Sequence, residues 1–171
     1  MAAKVYLSLG SNLGDRLQNL QKGIAHLSQH GIYPIQISQV YETEPVGATP
    51  DPRPYLNLGV WAETTLAPQA LLCALKAVES AQGRTFREGR WMPRPLDIDI
   101  ILYDDLLLNT PTLTIPHPRM RERAFVLIPL AEMTPDYTLP DGTPLQELLQ
   151  DPRIREQEVR YYDVHLSVSS R

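Results

Sequence analysis

Hydrophobic and polar positions first alternate, then cycle, then alternate again along this chain. "KVYLSL" (4–9) is short and rich in strand-forming side chains. Leu13, Leu17, Leu20, Ile24 and Leu27 follow at spacings of 4, 3, 4 and 3, one face of an amphipathic helix. Asn12 or Asp15 offers a cap for its start, and Gly31 follows its end. "IYPIQISQVYETE" (32–44) alternates as a half-buried strand does, and "YLNLGVWAETT" (55–65) is a further strand. Between them the prolines of "PVGATPDPRP" (45–54) mark a loop. "APQALLCALKAVESAQG" (67–83) predicts a second helix, with Pro68 in its first turn and Gly83 as its stop. Residues 84–95 read as a loop. "LDIDIILY" (96–103) is the fourth main strand, with Leu96, Ile98, Ile100 and Leu102 on one buried face.

The resulting order, β-α-β-β-α-β, is the split βαβ pattern and predicts an α+β, ferredoxin-like sandwich. Its sheet is antiparallel, and both helices pack on one face. "LLLN" and "LTI" look like short edge strands around a turn. "PRMRERAFVLIPLAEM" (118–133) predicts an extra helix toward the C-terminus, which Pro129 must cut or kink. Residues 1–150 are read as a single domain and 151–171 as a C-terminal tail. Tyr162, Val164, Leu166 and Val168 alternate there, so an added strand is one reading of the tail and a mobile end the other.

Composition narrows the class. The 171 residues suit one domain, and 43% apolar with 21% charged residues is ordinary for a soluble globular chain. No apolar run approaches the ~20 residues of a membrane helix. The start lacks the pattern of a signal peptide. A cytoplasmic protein without membrane contact is the simplest reading. Cys73 is the only cysteine, which excludes an internal disulfide. In "ALLCALKAV" it reads as a small buried core residue. The net charge of −4 argues against nucleic acid as partner. Yet 13 of the 16 basic residues are Arg, and seven of those lie between Arg84 and Arg123. Arg presents a rigid fork of donors suited to phosphate oxygens. A basic patch on an acidic chain points to a small polyanion, the alternative being a set of solvated arginines.

Asp97 and Asp99 sit between the apolar residues of the fourth strand. Side chains two apart share a face, with Cα atoms ~6.5–7 Å apart. Like charges this close repel, and a hard cation removes the penalty. Mg²⁺ suits such a pair, because it is commonly held by one or two carboxylates plus substrate phosphates. The plainer alternative is a solvated sheet face. The arginines at 84, 87, 90 and 94 precede the strand, and "IPHPRMRERAF" supplies His117, Arg119, Arg121 and Arg123. Carboxylates for metal flanked by arginines form a clamp for a triphosphate. "GSNLGDR" (10–16) is neither a Walker A loop nor a dinucleotide fingerprint. Trp91 lies among the arginines, where stacking on a flat ring would account for it.

Five stretches taken together, "YLSLGSNLGDR", "YETEPVG", "YLNLGV", "GR…RWMPRPLDIDI" and "PHPRMRERAFVLIPLAEM", resemble the 6-hydroxymethyl-7,8-dihydropterin pyrophosphokinase family of folate synthesis. The resemblance runs from about residue 4 to residue 148. It implies a ferredoxin-like fold and transfer of diphosphate from ATP to the hydroxymethyl group of the pterin, with release of AMP. ATP and the pterin are then the partners of a monomeric enzyme. The resemblance places two Mg²⁺ ions on Asp97 and Asp99. It places Arg84, Arg94, His117 and Arg123 on the ATP phosphates, with Arg84, Arg94, Asp97 and Asp99 as the catalytic set. Glu79 and Ile100 fall on the nucleotide side, and Trp91 closes over both ligands. The pterin falls to Thr43, Pro45, Val46, Tyr55, Asn57, Asp97 and Phe125. Phe86 and Met92 depart from the family's commoner residues. A small-molecule sensor on the same fold, binding without turnover, is the alternative.

Overall fold

The alternating segments pair into one antiparallel sheet, and the periodic ones cover it. The structure is a computed structural model that describes residues 2–44, 53–83 and 95–162, and the backbone alone of 86–87 and 90–91. The elements are β1 (Ala3–Ser11), α1 (Arg16–Gln29), β2 (Ile32–Ile37), β3 (Val40–Thr43), β4 (Tyr55–Thr64) and α2 (Pro68–Ala81). They continue as β5 (Phe86–Arg87), β6 (Arg90–Trp91), β7 (Asp97–Tyr103), β8 (Leu108–Asn109) and β9 (Thr114–Ile115). A single 3₁₀ turn (Met120–Glu122) precedes α3 (Ala124–Met133), α4 (Leu145–Leu149), α5 (Pro152–Arg155) and β10 (Val159–Tyr162).

The main sheet runs β10-β3-β4-β1-β7, with β2 also on β4, and every neighbouring pair is antiparallel. β2 and β3 lie one after the other along the same edge of β4 and together make the strand predicted over 32–44. They part at Ser38, whose N–H bonds the Gly59 carbonyl and whose hydroxyl accepts the Gly59 N–H at 2.9 Å. Counted as one strand they complete the βαββαβ order, and the fold is ferredoxin-like. The short strands β8 and β9 pair with each other, not with the main sheet.

Both early helices pack on one face. α1 buries Leu20, Gly23, Ile24 and Leu27, and α2 buries Leu71, Leu75, Val78 and Glu79. They close over Val5, Leu7, Leu9, Leu58, Val60, Ile98 and Ile100. Each such aliphatic side chain contributes about 1.5–3 kcal/mol on burial. The caps agree with the sequence. Asp15 accepts the Gln18 N–H at 3.1 Å, and Gly31 and Gly83 follow the helix ends with positive φ. At Gly23 an added Cβ would lie 2.6 Å from Leu96 Cδ2, so glycine lets α1 approach the strand.

Four sequence expectations are corrected. Cys73 is exposed, because the 71, 75, 78 stripe turns position 73 to the outside of α2. Leu102 is on the opposite face from Ile98 and Ile100. The β1–β7 register shifts between Tyr6 and Leu7, leaving Ile101 as an extra residue, and a one-residue slip exchanges faces. The segment 84–95 holds a two-stranded ribbon, β5 with β6. The helix expected from 118 starts at 124, after the 3₁₀ turn and an extended Arg123, and runs on through Pro129.

The second face is half covered. α3, α4 and α5 pack their apolar residues over Tyr6, Trp61, Ile101 and Leu102. The rest of that face, at the Asp97 end of β7, is covered by no helix among the described residues. β10 pairs with β3 from Val159↔Thr43 to Tyr162↔Val40, and the alternating residues beyond 162 lie outside the described part. No helix among the described residues is long and apolar enough to cross a membrane.

Candidate active site

Strand register builds the floor of the site. Gly10 of β1 lies between Asn57 and Asp97, and Ser8 lies between Gly59 and Asp99. One step further, Tyr6 lies between Trp61 and Leu102, where α3 begins its cover. The floor is low because two of its members lack side chains. A Cβ on Gly10 would sit 2.8 Å from Asn57 Oδ1. A Cβ on Gly59 would sit 2.2 Å from the Tyr6 hydroxyl, and that hydroxyl donates to the Val126 carbonyl at 3.0 Å. Tyr6 thus leans across Gly59 to anchor α3, and the covering helix ends where the carboxylates begin.

A cavity of about 560 Å³ opens over this floor. It is lined by ten of the candidates named from sequence: Asp97, Asp99, Glu79, Ile100, His117, Arg123, Thr43, Tyr55, Asn57 and Phe125. Pro45, Val46, Arg84 and Arg94 lie outside the described residues, and of Trp91 only the backbone is described. The cavity also takes in Ser8, Gly10, Glu44, Leu72, Lys76 and Pro118, and residues Thr110 to Thr114 of the β8–β9 hairpin. Some of these carried a sequence signal. Leu72, Lys76 and Glu79 share a helix face at spacings of 4 and 3, and Ser8 and Gly10 alternate with Leu7 and Leu9 in β1. The hairpin residues carried none, because only the chain's return over α2 brings them to the site.

Each charged group is held by its surroundings. Glu79 is 4% exposed, and its carboxylate accepts the Ile98 N–H at 2.7 Å. β7 ends the main sheet, so the outward N–H between Asp97 and Asp99 finds its partner on α2 and not on another strand. Asp99 and Arg123 form a loose ion pair at 3.9 Å, with the Asp99 side chain 46% exposed. Both groups therefore keep capacity for a ligand. The Arg123 guanidinium also lies 5.5 Å from the Phe125 ring centre. Burial lowers the Arg123 pKa from its usual value, against the pull of Asp99. Burial likewise lowers His117 below its ordinary 6.5, with Asp99 opposing and Arg123 and Arg119 adding to the shift. The balance favours the neutral form of His117. Its Nδ1 accepts the Arg119 N–H at 3.1 Å, which leaves Nε2 as the protonated, donating nitrogen.

Two carboxylates meet the cation requirement only in part. Among the described residues no three of His, Cys, Asp and Glu gather as a metal cage. That donor set fits Mg²⁺ arriving with a polyphosphate, since Mg²⁺ keeps waters and takes phosphate oxygens beside one or two carboxylates. It fits poorly a metal that needs four protein ligands.

Fold and cavity together define a class: an α+β sandwich whose open sheet end sets two carboxylates beside a guanidinium and an imidazole. The comparisons with known proteins agree. The family model for 7,8-dihydro-6-hydroxymethylpterin-pyrophosphokinase (HPPK) matches residues 6–135. The 2-amino-4-hydroxy-6-hydroxymethyldihydropteridine pyrophosphokinase of Pseudomonas aeruginosa is 43% identical over 152 residues, 87% of this chain and 91% of its own length. The protein of the same name from Bacillus subtilis is 46% identical over 129 residues, 75% of this chain and 76% of its own. This chain belongs to the HPPK family. Its fold also matches a crystal structure of Plasmodium falciparum HPPK-DHPS with pteroate, at a TM-score of 0.70 and 16% identity. That match covers 94% of this chain but 48% of the solved one, so the chain spans about half of that longer protein.

Proposed function

We propose that this chain transfers the β,γ-diphosphate of ATP to the hydroxymethyl oxygen of 6-hydroxymethyl-7,8-dihydropterin, releasing AMP, as a step of folate biosynthesis. The observation that carries this reading is the facing of Asp97 and Asp99 with Arg123 and His117 across one cavity. The family match names the substrates. The pterin hydroxyl attacks the β-phosphorus in line with the departing α-phosphate oxygen, and catalysis is mostly positioning and charge neutralisation. Asp97 and Asp99 would hold the two Mg²⁺ ions that the family pattern implies, and the metal when bound would neutralise phosphate charge and lower the pKa of the attacking hydroxyl. Arg123 and the Nε2–H of His117 donate to phosphate oxygens, and partial burial strengthens both. Leu72, Glu79, Ile100 and the hairpin 110–114 flank the nucleotide. Thr43, Tyr55, Asn57 and Phe125 bound the flat pterin at the other end. Arg84, Arg94 and Trp91 join the phosphate side, and Pro45 and Val46 the pterin side, on the family pattern alone. The monomer as working unit rests on the family pattern alone.

The test is to mix the protein with MgATP and 6-hydroxymethyl-7,8-dihydropterin and to follow AMP. AMP should appear only with the pterin present, in step with pterin diphosphate. Pterin binding without AMP would make the chain a sensor and overturn the proposal.

A further inference from the structure

Arg16 is the first residue of α1, where the helix dipole disfavours a cation. The only acid at this helix start is the N-cap Asp15, whose carboxylate is engaged by the Gln18 N–H. The charge is answered from elsewhere in the fold. Arg16 Nη1 donates to Glu42 Oε2 of β3 at 2.8 Å and to the carbonyl oxygen of Pro54 at 3.0 Å. The guanidinium also lies 5.9 Å from the Tyr162 ring centre of β10. Both side chains of the Arg16–Glu42 pair are about three-quarters shielded, at 24% and 23% exposure. The other carboxylate oxygen of Glu42 takes Arg160 at 3.3 Å, and Arg160 also reaches Glu44 at 3.3 Å.

The two acceptors of Arg16 sit on opposite stems of one hairpin. β3 and β4 pair up to Thr43↔Tyr55. Glu42 precedes the last pair on one stem, and Pro54 precedes Tyr55 on the other. Thr43 and Tyr55 both line the cavity, and Thr43 Oγ1 accepts from Asn57 Nδ2 at 2.6 Å. Strand ends joined by a long connection open readily unless something ties them. We infer that Arg16 is a positioning residue for the pterin end of the site: it ties the two stems together and so fixes Thr43, Tyr55 and Asn57. This rests on the proposed function for the identity of the ligand, but the tie itself does not. It gives a role to the last residue of "GSNLGDR", which the phosphate chemistry leaves unused.

Arg16→Ala, Arg16→Lys and Glu42→Gln test it by kinetics and amide hydrogen exchange on the full chain. Arg16→Ala should raise KM for the pterin about tenfold, the scale of a lost charge-assisted hydrogen bond, with kcat and KM for ATP nearly unchanged. Arg16→Lys keeps the charge and a donor and should recover most of the loss. Glu42→Gln should shift pterin KM the same way by less, and it decides the kinetics if Arg16→Ala does not fold. Exchange of the amides of 41–43 and 55–57 should quicken in Arg16→Ala while those of β7 hold. Unmoved pterin KM, equal rises for both substrates, or unchanged exchange in 41–43 and 55–57 overturns the inference. If the parent chain makes no AMP, the proposed function fails instead, and exchange alone then decides whether Arg16 ties the stems.

Discussion

The two carboxylates of β7 share one face, half-buried at the rim of the cavity and outside the apolar core. Removing one should therefore leave folding intact and remove function. Asp97→Asn or Asp99→Asn is expected to abolish pterin-dependent AMP release while the thermal midpoint stays near that of the parent chain. An AMP assay beside a melting curve checks both. Residue type made Asp97 and Asp99 a candidate pair and set His117 among arginines, and the family resemblance singled out Arg123 from its neighbours. Lys76 was not singled out, because an exposed lysine on a helix is the ordinary case. Its place over the cavity, on the α2 face shared with Leu72 and Glu79, is what distinguishes it. Cys73 shows the converse: its neighbours are apolar, but its angle around α2 puts it in solvent.

Two side chains couple whole elements to the site. Glu79 ties α2 to β7 through the Ile98 N–H. Glu79→Ala should destabilise the fold by about 1–3 kcal/mol, because it strands a buried donor, and lower turnover with it. Glu79→Gln keeps an acceptor and should stay close to the parent in both, as denaturant unfolding and the AMP assay would show. Glu42 joins α1 to β3. The hydrogen bond from Arg16 is the main cause lowering its pKa from 4.5, burial opposes it, and Arg160 adds to it. A lowered folded-state pKa means that the unfolded chain binds the proton first. This contribution to stability is therefore complete above about pH 4.5 and fades as pH falls through the folded value. Glu42→Gln should lose stability relative to the parent at neutral pH and converge with it in acid, measured by urea midpoints across pH. At this scale the periodic helices, their caps and the βαββαβ order were legible. The bulge at Ile101 was not. It depends on how β7 registers against β1, and no local pattern specifies that.

The whole molecule is a sheet with two differently used faces. One face is closed by α1 and α2; the other is closed by α3 to α5 only as far as Tyr6 and Trp61. The site spans the open end of the second face and the β7 edge beside α2, so its ligands should stabilise the fold as a unit. MgATP at about a hundredfold over its Kd should add about 2.7 kcal/mol, a rise of roughly 5–10 °C in Tm for a domain of this size. EDTA or Asp99→Asn should remove most of that rise, and a thermal-shift titration reads it directly. The linear order of residues was enough to specify the four main strands in outline, both early helices, the sandwich class and the carboxylate pair, because period and residue chemistry are local properties. The depth of the cavity, the tie from Arg16 to Pro54, the edge N–H held by Glu79 and the hairpin brought over α2 came only with folding. Each joins residues far apart in the chain, and contact between such residues is a consequence of packing that no spacing rule encodes.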